Sequence, residues 1–224
     1  MQPNDFNADA ETFFRLLLQD TEKAYQKSDI IQTNPHWAYS VCATPIVKNE
    51  GLIVGLNWGG GNNEEFKAQA EYPKGDDVEK YPFIMKLAPY LKDHLKVADV
   101  KKINYSNLCF FRSPKVSDLK QKDWECSQNL IQNYVKYVNP SWILLVTTNL
   151  DRAKDALSLD ENPLPFQAGT EKVFTAYKST SRVGGKTIPF YALPHPNAHI
   201  KAAVRKILWN EVLPIETSTI GLPA

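Results

Sequence analysis

The stretch Leu52-Ile53-Val54-Gly55-Leu56-Asn57-Trp58-Gly59-Gly60-Gly61-Asn62 joins an apolar run to a cluster of glycines. An apolar run that is rich in β-branched residues and bounded by a turn signal predicts a buried strand. In open α/β sheets, the loops that follow the carboxyl ends of the strands bind ligands. The pattern therefore predicts that Asn57 lies in a functional loop.

Outward from this stretch, apolar runs alternate with segments of helical periodicity. The predicted strands are 52–57, 103–111, 142–147 and 188–193, and the predicted helices are 8–27, 83–94, 118–138, 150–157 and a last helix opened by 195–199. Near-continuous apolar strands separated by helices are typical of a parallel sheet that is covered on both faces. We therefore expect a three-layer α/β/α fold with a central, mainly parallel four-stranded sheet.

Length and composition favour one domain. The 224 residues are 43% hydrophobic with a net charge of +1, so residues 1–224 are expected to form one core, with 1–45 as an N-terminal helical extension. The near-neutral charge means that any nucleic acid would bind local basic patches. Three widely spaced cysteines predict neither a disulfide framework nor a four-ligand zinc site. No targeting or membrane-spanning segment is recognised, which predicts a cytoplasmic protein without a membrane partner.

The glycine-rich loop after Asn57 lacks the signatures of a phosphate-binding loop. Neither Gly-x-x-x-x-Gly-Lys-Ser/Thr nor Gly-x-Gly-x-x-Gly precedes a helix, so a nucleotide cofactor is not expected. The alternative is a tight turn in which the glycines supply positive φ angles.

Two further polar groups interrupt apolar segments. Asn107 lies within the predicted strand 103–111, where a buried amide needs partners because an unsatisfied one costs about 1–3 kcal/mol. It either bonds to nearby backbone or offers its paired donor and acceptor to a planar base. His195 lies between two prolines that restrict its backbone, which favours a preorganised catalytic group. A metal site shared with His199 is the rival interpretation, but no further ligand lies in the motif, and no metal is expected.

Together these pieces resemble the uracil-DNA glycosylase superfamily, most of all its single-strand-selective monofunctional and mismatch-specific branches. Gly55-Leu56-Asn57-Trp58-Gly59 is similar to the family's Gly-x-Asn-Pro-Gly motif, Asn107-Leu108-Cys109 to its strand-end Asn-Leu-Cys, and His195-Pro196-Asn197 to its His-Pro-Ser. The resemblance covers roughly residues 50–212. Trp58 replaces the expected Pro, Asn197 replaces the expected Ser, and Gly59 stands where the most uracil-exclusive branch has a Tyr, which implies a wider pocket.

The resemblance implies a uracil-DNA glycosylase-like fold and a monofunctional hydrolase of base-excision repair that cleaves the N-glycosidic bond of uracil or a related damaged base. It implies that Asn57 orients the attacking water and that His195 hydrogen-bonds the departing base. The implied base-binding residues are Gly55, Leu56, Trp58, Gly59 and Asn107, with Phe66 or Tyr72 as the stacking aromatic. The implied DNA-binding residues are Asn197, Ala198, His199 and Lys201. The partner would be DNA bound by a monomer, without a cofactor.

Two other functions remain open from the sequence. A glycosylase-like protein that binds DNA or a modified base without cleaving it is suggested by Trp58, whose indole could fill the base pocket. An α/β enzyme acting on free nucleosides is suggested by the near-neutral net charge.

Overall fold

A six-stranded sheet crosses the computed structural model, which describes residues 3–33, 38–59 and 68–213. The strands are β1 (Leu52–Trp58), β2 (Asn104–Arg112), β3 (Ile143–Leu145), β4 (Leu164–Ala168), β5 (Phe174–Val183) and β6 (Lys186–Ala192). Their order across the sheet is β2-β1-β3-β6-β5-β4. The four neighbours β2, β1, β3 and β6 pair in parallel, whereas β5 and β4 continue the sheet with antiparallel pairing.

The prediction of four strands is wrong in number, because β4 and β5 were missed. All four predicted strands are present as β1, β2, β3 and β6, and these form the parallel part. β4 is mostly exposed and β5 is mostly half-buried, and neither has the continuous apolar run of a buried strand. Gly184 and Gly185, with φ angles of 55° and 81°, form the two-residue turn from β5 to β6.

Helices cover both faces of the sheet. They are α1 (Ala10–Tyr25), α2 (Ile30–Thr33), α3 (Pro82–Leu95), α4 (Gln121–Val138), α5 (Asp151–Lys154) and α6 (Ala202–Val212), with 3₁₀ turns at Pro3–Asn7, Gly75–Lys80, Val100–Lys102 and Val116–Asp118. α1 begins after Asp9, whose carboxylate accepts a hydrogen bond from the backbone amide of Thr12 across 2.9 Å. α4 ends at Asn139, which has a φ angle of 48° and precedes a proline.

Each face of the sheet has its own apolar core. One core joins Leu52 and Val54 of β1 to α1 and α4, and the other joins Ile53 of β1 to α3 and α6. This alternation along β1 is the strand period of two, and it produces the expected three-layer α/β/α arrangement. We refer to the second side as the α3/α6 face.

The segment 38–44 lies along the outer edge of β2. Tyr39 bridges to Phe111 in antiparallel fashion, and the backbone amides of Ser40 and Ala43 donate to carbonyl groups of β2. The hydroxyl of Thr44 also accepts from the backbone amide of Tyr105 across 2.9 Å. The unpaired side of β2 is thereby satisfied by the chain itself.

The last helix starts later than predicted. α6 begins at Ala202, so residues 195–199 form a turn between β6 and α6, and His199 lies on this turn rather than on a helix. Pro196 and the hydrogen bond from the Ala198 amide to the His195 carbonyl favour the turn. Across residues 3–33, 38–59 and 68–213, no helix is both long enough and apolar enough to span a bilayer.

Candidate functional site

Gly55 and Asn107 face each other in the middle of the parallel strands β1 and β2, so Asn107 does not stand at the strand end that the resemblance implies. A Cβ atom on Gly55 would lie 2.1 Å from Oδ1 of Asn107, well inside any van der Waals contact. Only glycine therefore allows the Asn107 side chain to lie across β1 on the α3/α6 face.

The amide of Asn107 is fully buried and only half satisfied. Its Oδ1 accepts a hydrogen bond from the hydroxyl of Tyr105 across 3.3 Å. Burial raises the pKa of Tyr105, so this hydroxyl keeps its proton and can donate. The Nδ2 atom has no hydrogen-bond partner within the part of the chain that the structure describes. A buried donor of this kind costs about 1–3 kcal/mol until a ligand or water accepts from it.

Trp58 brings a second unpaired donor to this region. The register of β1 on β2 shifts between Asn57 and Trp58, which turns the indole onto the α3/α6 face instead of the face occupied by Leu52 and Val54. The indole is 3% exposed and packs edge-on against Tyr105, with ring centroids 5.4 Å apart. Its Nε1 atom has no partner among residues 3–33, 38–59 and 68–213.

Asn57 ties the end of β1 to the residue that follows β2. Its Nδ2 atom donates to the hydroxyl of Ser113 across 2.8 Å and lies 3.3 Å from the carbonyl oxygens of Ser113 and Trp58. Oδ1 receives no hydrogen bond from any described residue, which leaves it as an acceptor for a water or ligand hydroxyl.

His195 follows β6 and presents one defined tautomer. Its Nδ1 atom accepts from the backbone amide of Asn197 across 3.1 Å, so in the neutral ring the proton lies on Nε2. His195 is exposed at the surface, but partial desolvation of its ring, with the positive charges of Arg205 and Lys86, lowers its pKa below the ordinary value of 6.5. The imidazole is thus a neutral hydrogen-bond donor through Nε2 at neutral pH.

Three aromatic residues that the sequence analysis does not single out, Tyr81, Phe83 and Tyr105, lie between Trp58 and His195. Phe83 packs edge-on against Tyr105, with ring centroids 4.9 Å apart. The centroids of Phe83 and His195 are 5.8 Å apart, and the planes of these two rings make an angle of 31°. The ring centroid of Tyr81 is 6.3 Å from that of Trp58 and 6.1 Å from that of Tyr105. The available signal was Tyr81-Pro82-Phe83, an aromatic pair around a proline at the start of α3.

The two predicted stacking aromatics are not found at this site. Phe66 lies outside the described residues. Tyr72 lies in the core under α1 and α4, where its ring meets Phe14 edge-on at 5.5 Å and its hydroxyl accepts from the backbone amide of Ile46 across 2.6 Å. Phe83 is the aromatic that lies between Tyr105 and His195.

Leu56 and Gly59 flank the strand end. Leu56 packs against the core under α1 and α4, on the other face from Asn107. Gly59 is exposed, a Cβ placed on it would meet no atom within 4 Å, and its carbonyl oxygen accepts from the guanidinium of Arg112 across 3.3 Å.

Basic groups surround the turn after His195. Lys86 donates to Oδ1 of Asn197 across 2.7 Å, and Arg205 donates to the carbonyl oxygen of Ala198 across 2.9 Å. Lys201 is exposed and lies 3.5 Å from the carboxylate of Glu171. His199 is also exposed, and it borders the same cavity of about 140 Å³ as Lys201.

The described residues contain no group of three or more His, Cys, Asp or Glu side chains placed to hold a metal ion. No protein-family model matches the chain. A search of curated proteins also gives no match.

Proposed function

We propose that this chain is a monofunctional DNA glycosylase that hydrolyses the N-glycosidic bond of uracil or a related damaged base. The observation that carries the proposal is the buried, unpaired Nδ2 donor of Asn107 in the aromatic cluster that leads through Tyr105 and Phe83 to His195. A flat ligand with an acceptor on its edge would satisfy this donor, and Phe83 offers the ligand a ring face. A base extruded from the stack has these properties.

The chemistry needs stabilisation on both fragments of the broken bond. The departing base carries negative charge, and the sugar becomes oxocarbenium-like. The Nε2–H of His195 donates to the carbonyl oxygen of the base as that charge develops, and Lys86 and Arg205 add a favourable potential nearby. Oδ1 of Asn57 accepts a hydrogen bond from the attacking water. An amide cannot remove the water's proton as a carboxylate can, so we expect modest turnover.

Single-turnover release of uracil from a labelled single-stranded oligonucleotide tests the proposal. We expect His195→Ala and Asn57→Ala each to slow release by about 10²–10³-fold, the usual loss when one preorganised polar group is removed. Asn129→Ala is the control, because Asn129 is exposed on α4, on the other face of the sheet. Unchanged rates in both site variants, or no release of any base by the unaltered chain, would refute the proposal.

Trp58 supports a second candidate, a protein that binds a modified base or DNA without cleaving it. Its indole is 3% exposed and packed against Tyr105 beside Asn107. If the indole occupies the space of the base, binding without product is expected. A titration by fluorescence anisotropy run beside the cleavage assay separates the two functions.

A further inference from the structure

We propose that Ser113 is a positioning residue for Asn57, and that its hydroxyl keeps the Asn57 amide turned with Nδ2 toward the protein and Oδ1 toward the attacking water. The inference rests on the proposed function only in taking that water as the group that Oδ1 receives. In this role Ser113 affects the reaction through the orientation of the amide alone.

Ser113 connects the ends of the two strands that carry the site. It follows β2, is fully buried, and its backbone amide donates to the carbonyl oxygen of Trp58 at the end of β1 across 3.1 Å. Its hydroxyl oxygen lies 2.8 Å from Nδ2 of Asn57 and 2.8 Å from the carbonyl oxygen of Lys115. One side chain therefore contacts the Asn57 amide and the turn after β2 at the same time.

Two carbonyl oxygens decide which end of the amide lies against the protein. An asparagine amide is nearly symmetric in shape, so its hydrogen-bond partners select its orientation. The carbonyl oxygens of Ser113 and Trp58 each lie 3.3 Å from Nδ2 of Asn57. If the amide were turned, Oδ1 would take the place of Nδ2 and face two oxygens that carry no proton. The NH₂ group is therefore the end that faces inward.

The Ser113 hydroxyl supports the same orientation because its single proton has another acceptor. A carbonyl oxygen cannot donate, so the hydroxyl donates to Lys115 and accepts from Asn57. At 2.8 Å, this hydrogen bond is the shortest of the three contacts of Nδ2. The N–H groups of the amide are thus directed to protein acceptors, and Oδ1 is the atom that can receive a proton of the water.

Ser113→Ala should leave the Asn57 amide in place but less firmly oriented. The two carbonyl contacts at 3.3 Å remain in this variant, whereas the shortest hydrogen bond is lost. The net contribution of one hydrogen bond corresponds to a change of about 3- to 10-fold in a rate or equilibrium. We expect this loss in the rate constant for uracil release at saturating enzyme. The enzyme concentration that gives half of that rate should not change, because no contact with the base or DNA is removed.

A double-mutant cycle with Asn57→Ala tests the inference, measured as single-turnover uracil release from a single-stranded oligonucleotide. If Ser113 acts through the amide, Ser113→Ala slows the unaltered chain about 3- to 10-fold but changes the Asn57→Ala background by less than about twofold. A residue that only supports the fold would slow both backgrounds by the same factor.

Ser127→Ala is the matched control and should leave the rate unchanged. Ser127 is also fully buried, and its hydroxyl also accepts from an N–H group and donates to a carbonyl oxygen. It lies on α4, on the other face of the sheet from Trp58. Release by Ser113→Ala at the unaltered rate overturns the inference, and so does an equal loss in the Asn57→Ala background or in Ser127→Ala. If circular dichroism shows that Ser113→Ala does not fold, Ser113→Cys, which retains a weak acceptor, takes its place in the cycle.

A measurement without turnover separates this inference from the proposed function. In NMR spectra of isotope-labelled protein, the side-chain amide signal of Asn57 is identified by its absence from Asn57→Ala. The exchange of its N–H protons with solvent reports the hydrogen bonds of Nδ2, and we expect this exchange to be about 3- to 10-fold faster in Ser113→Ala. If the unaltered chain releases no base, the proposed function fails and the exchange rate decides the inference. Faster exchange then supports the positioning of the amide by Ser113, and unchanged exchange overturns it.

Discussion

The backbone amide of Asn197 donates to Nδ1 of His195 across 3.1 Å, and this contact decides which imidazole nitrogen carries the proton. A proton added to Nδ1 would place N–H against N–H and break the contact. The Asn197 amide therefore orients the ring only in its neutral form, in which Nε2 carries the proton. The charges of Arg205 and Lys86 favour this form as well.

Uracil release is expected to be constant above pH 6.5 and to fall as the pH drops through the lowered pKa of His195. The pKa of His195 is lower in the folded chain than in the unfolded chain. The free energy of unfolding should therefore also decrease as the pH falls below 6.5, because the unfolded chain binds the proton more readily. Arg205→Gln removes a positive charge and retains an amide donor. The midpoint of the acid limb should therefore move to higher pH in a single-turnover profile. Lys206→Gln, on the exposed side of α6, should leave the profile in place.

Gly55→Ala should disrupt the site and destabilise the fold. The added methyl group would lie 2.1 Å from Oδ1 of Asn107, so the amide or β1 must move. Overpacking of this kind costs about 1–3 kcal/mol, to be measured as the free energy of unfolding in urea. Gly75→Ala is the matched substitution, because its Cβ meets no atom within 4 Å. Equal stability of the two variants would contradict the close approach of Gly55 and Asn107.

Phe83→Ala should weaken substrate binding more than it slows the chemical step. Stacking of a base on an aromatic ring contributes about 1–3 kcal/mol, so KM for a uracil oligonucleotide should rise about 5- to 150-fold while kcat changes less. Met85→Ala provides the control on the same helix, since Met85 is 43% exposed. A Phe83 variant with an unchanged KM would remove this ring from the base pocket.

Trp58→Phe distinguishes an indole that contributes a donor from an indole that fills the pocket. We expect kcat/KM for uracil release to fall by about tenfold, because phenylalanine keeps an aromatic ring but lacks the unpaired Nε1–H. The measurement is the same excision assay under subsaturating substrate. Faster release by the variant would mean that the indole occupies the space of the base and would favour the binding-protein candidate.

The parallel part of the sheet is predictable because β1, β2 and β3 are mostly buried and, like the second half of β6, read as apolar runs. β5 was not, since its exposed and buried positions mix along ten residues. The strand-end rule places Asn57 and His195 correctly, whereas Asn107 lies in the middle of β2 rather than at its end. The face that Trp58 occupies depends on the shift of register after Asn57, which no local pattern encodes.

The contributions of Tyr105 and Phe83 were not predictable for a related reason. Tyr105 stands within the predicted strand 103–111, but its contacts depend on the amide two residues later and on Gly55 from another strand. Phe83 reads as an apolar position of a helix, and its distance to His195 is set by the packing of α3 beside the end of β6. Contacts between residues so far apart in sequence depend on tertiary packing.

The segment 38–44 limits how far the chain can be shortened from its N-terminal side. Because it occupies the outer side of β2, a shortened chain that begins after Thr44 would expose the backbone groups that now bond to Ser40 and Ala43. An uncovered strand edge recruits other chains, so such a fragment is expected to self-associate. Expression boundaries for isolating the sheet and its site should therefore retain the residues before β1.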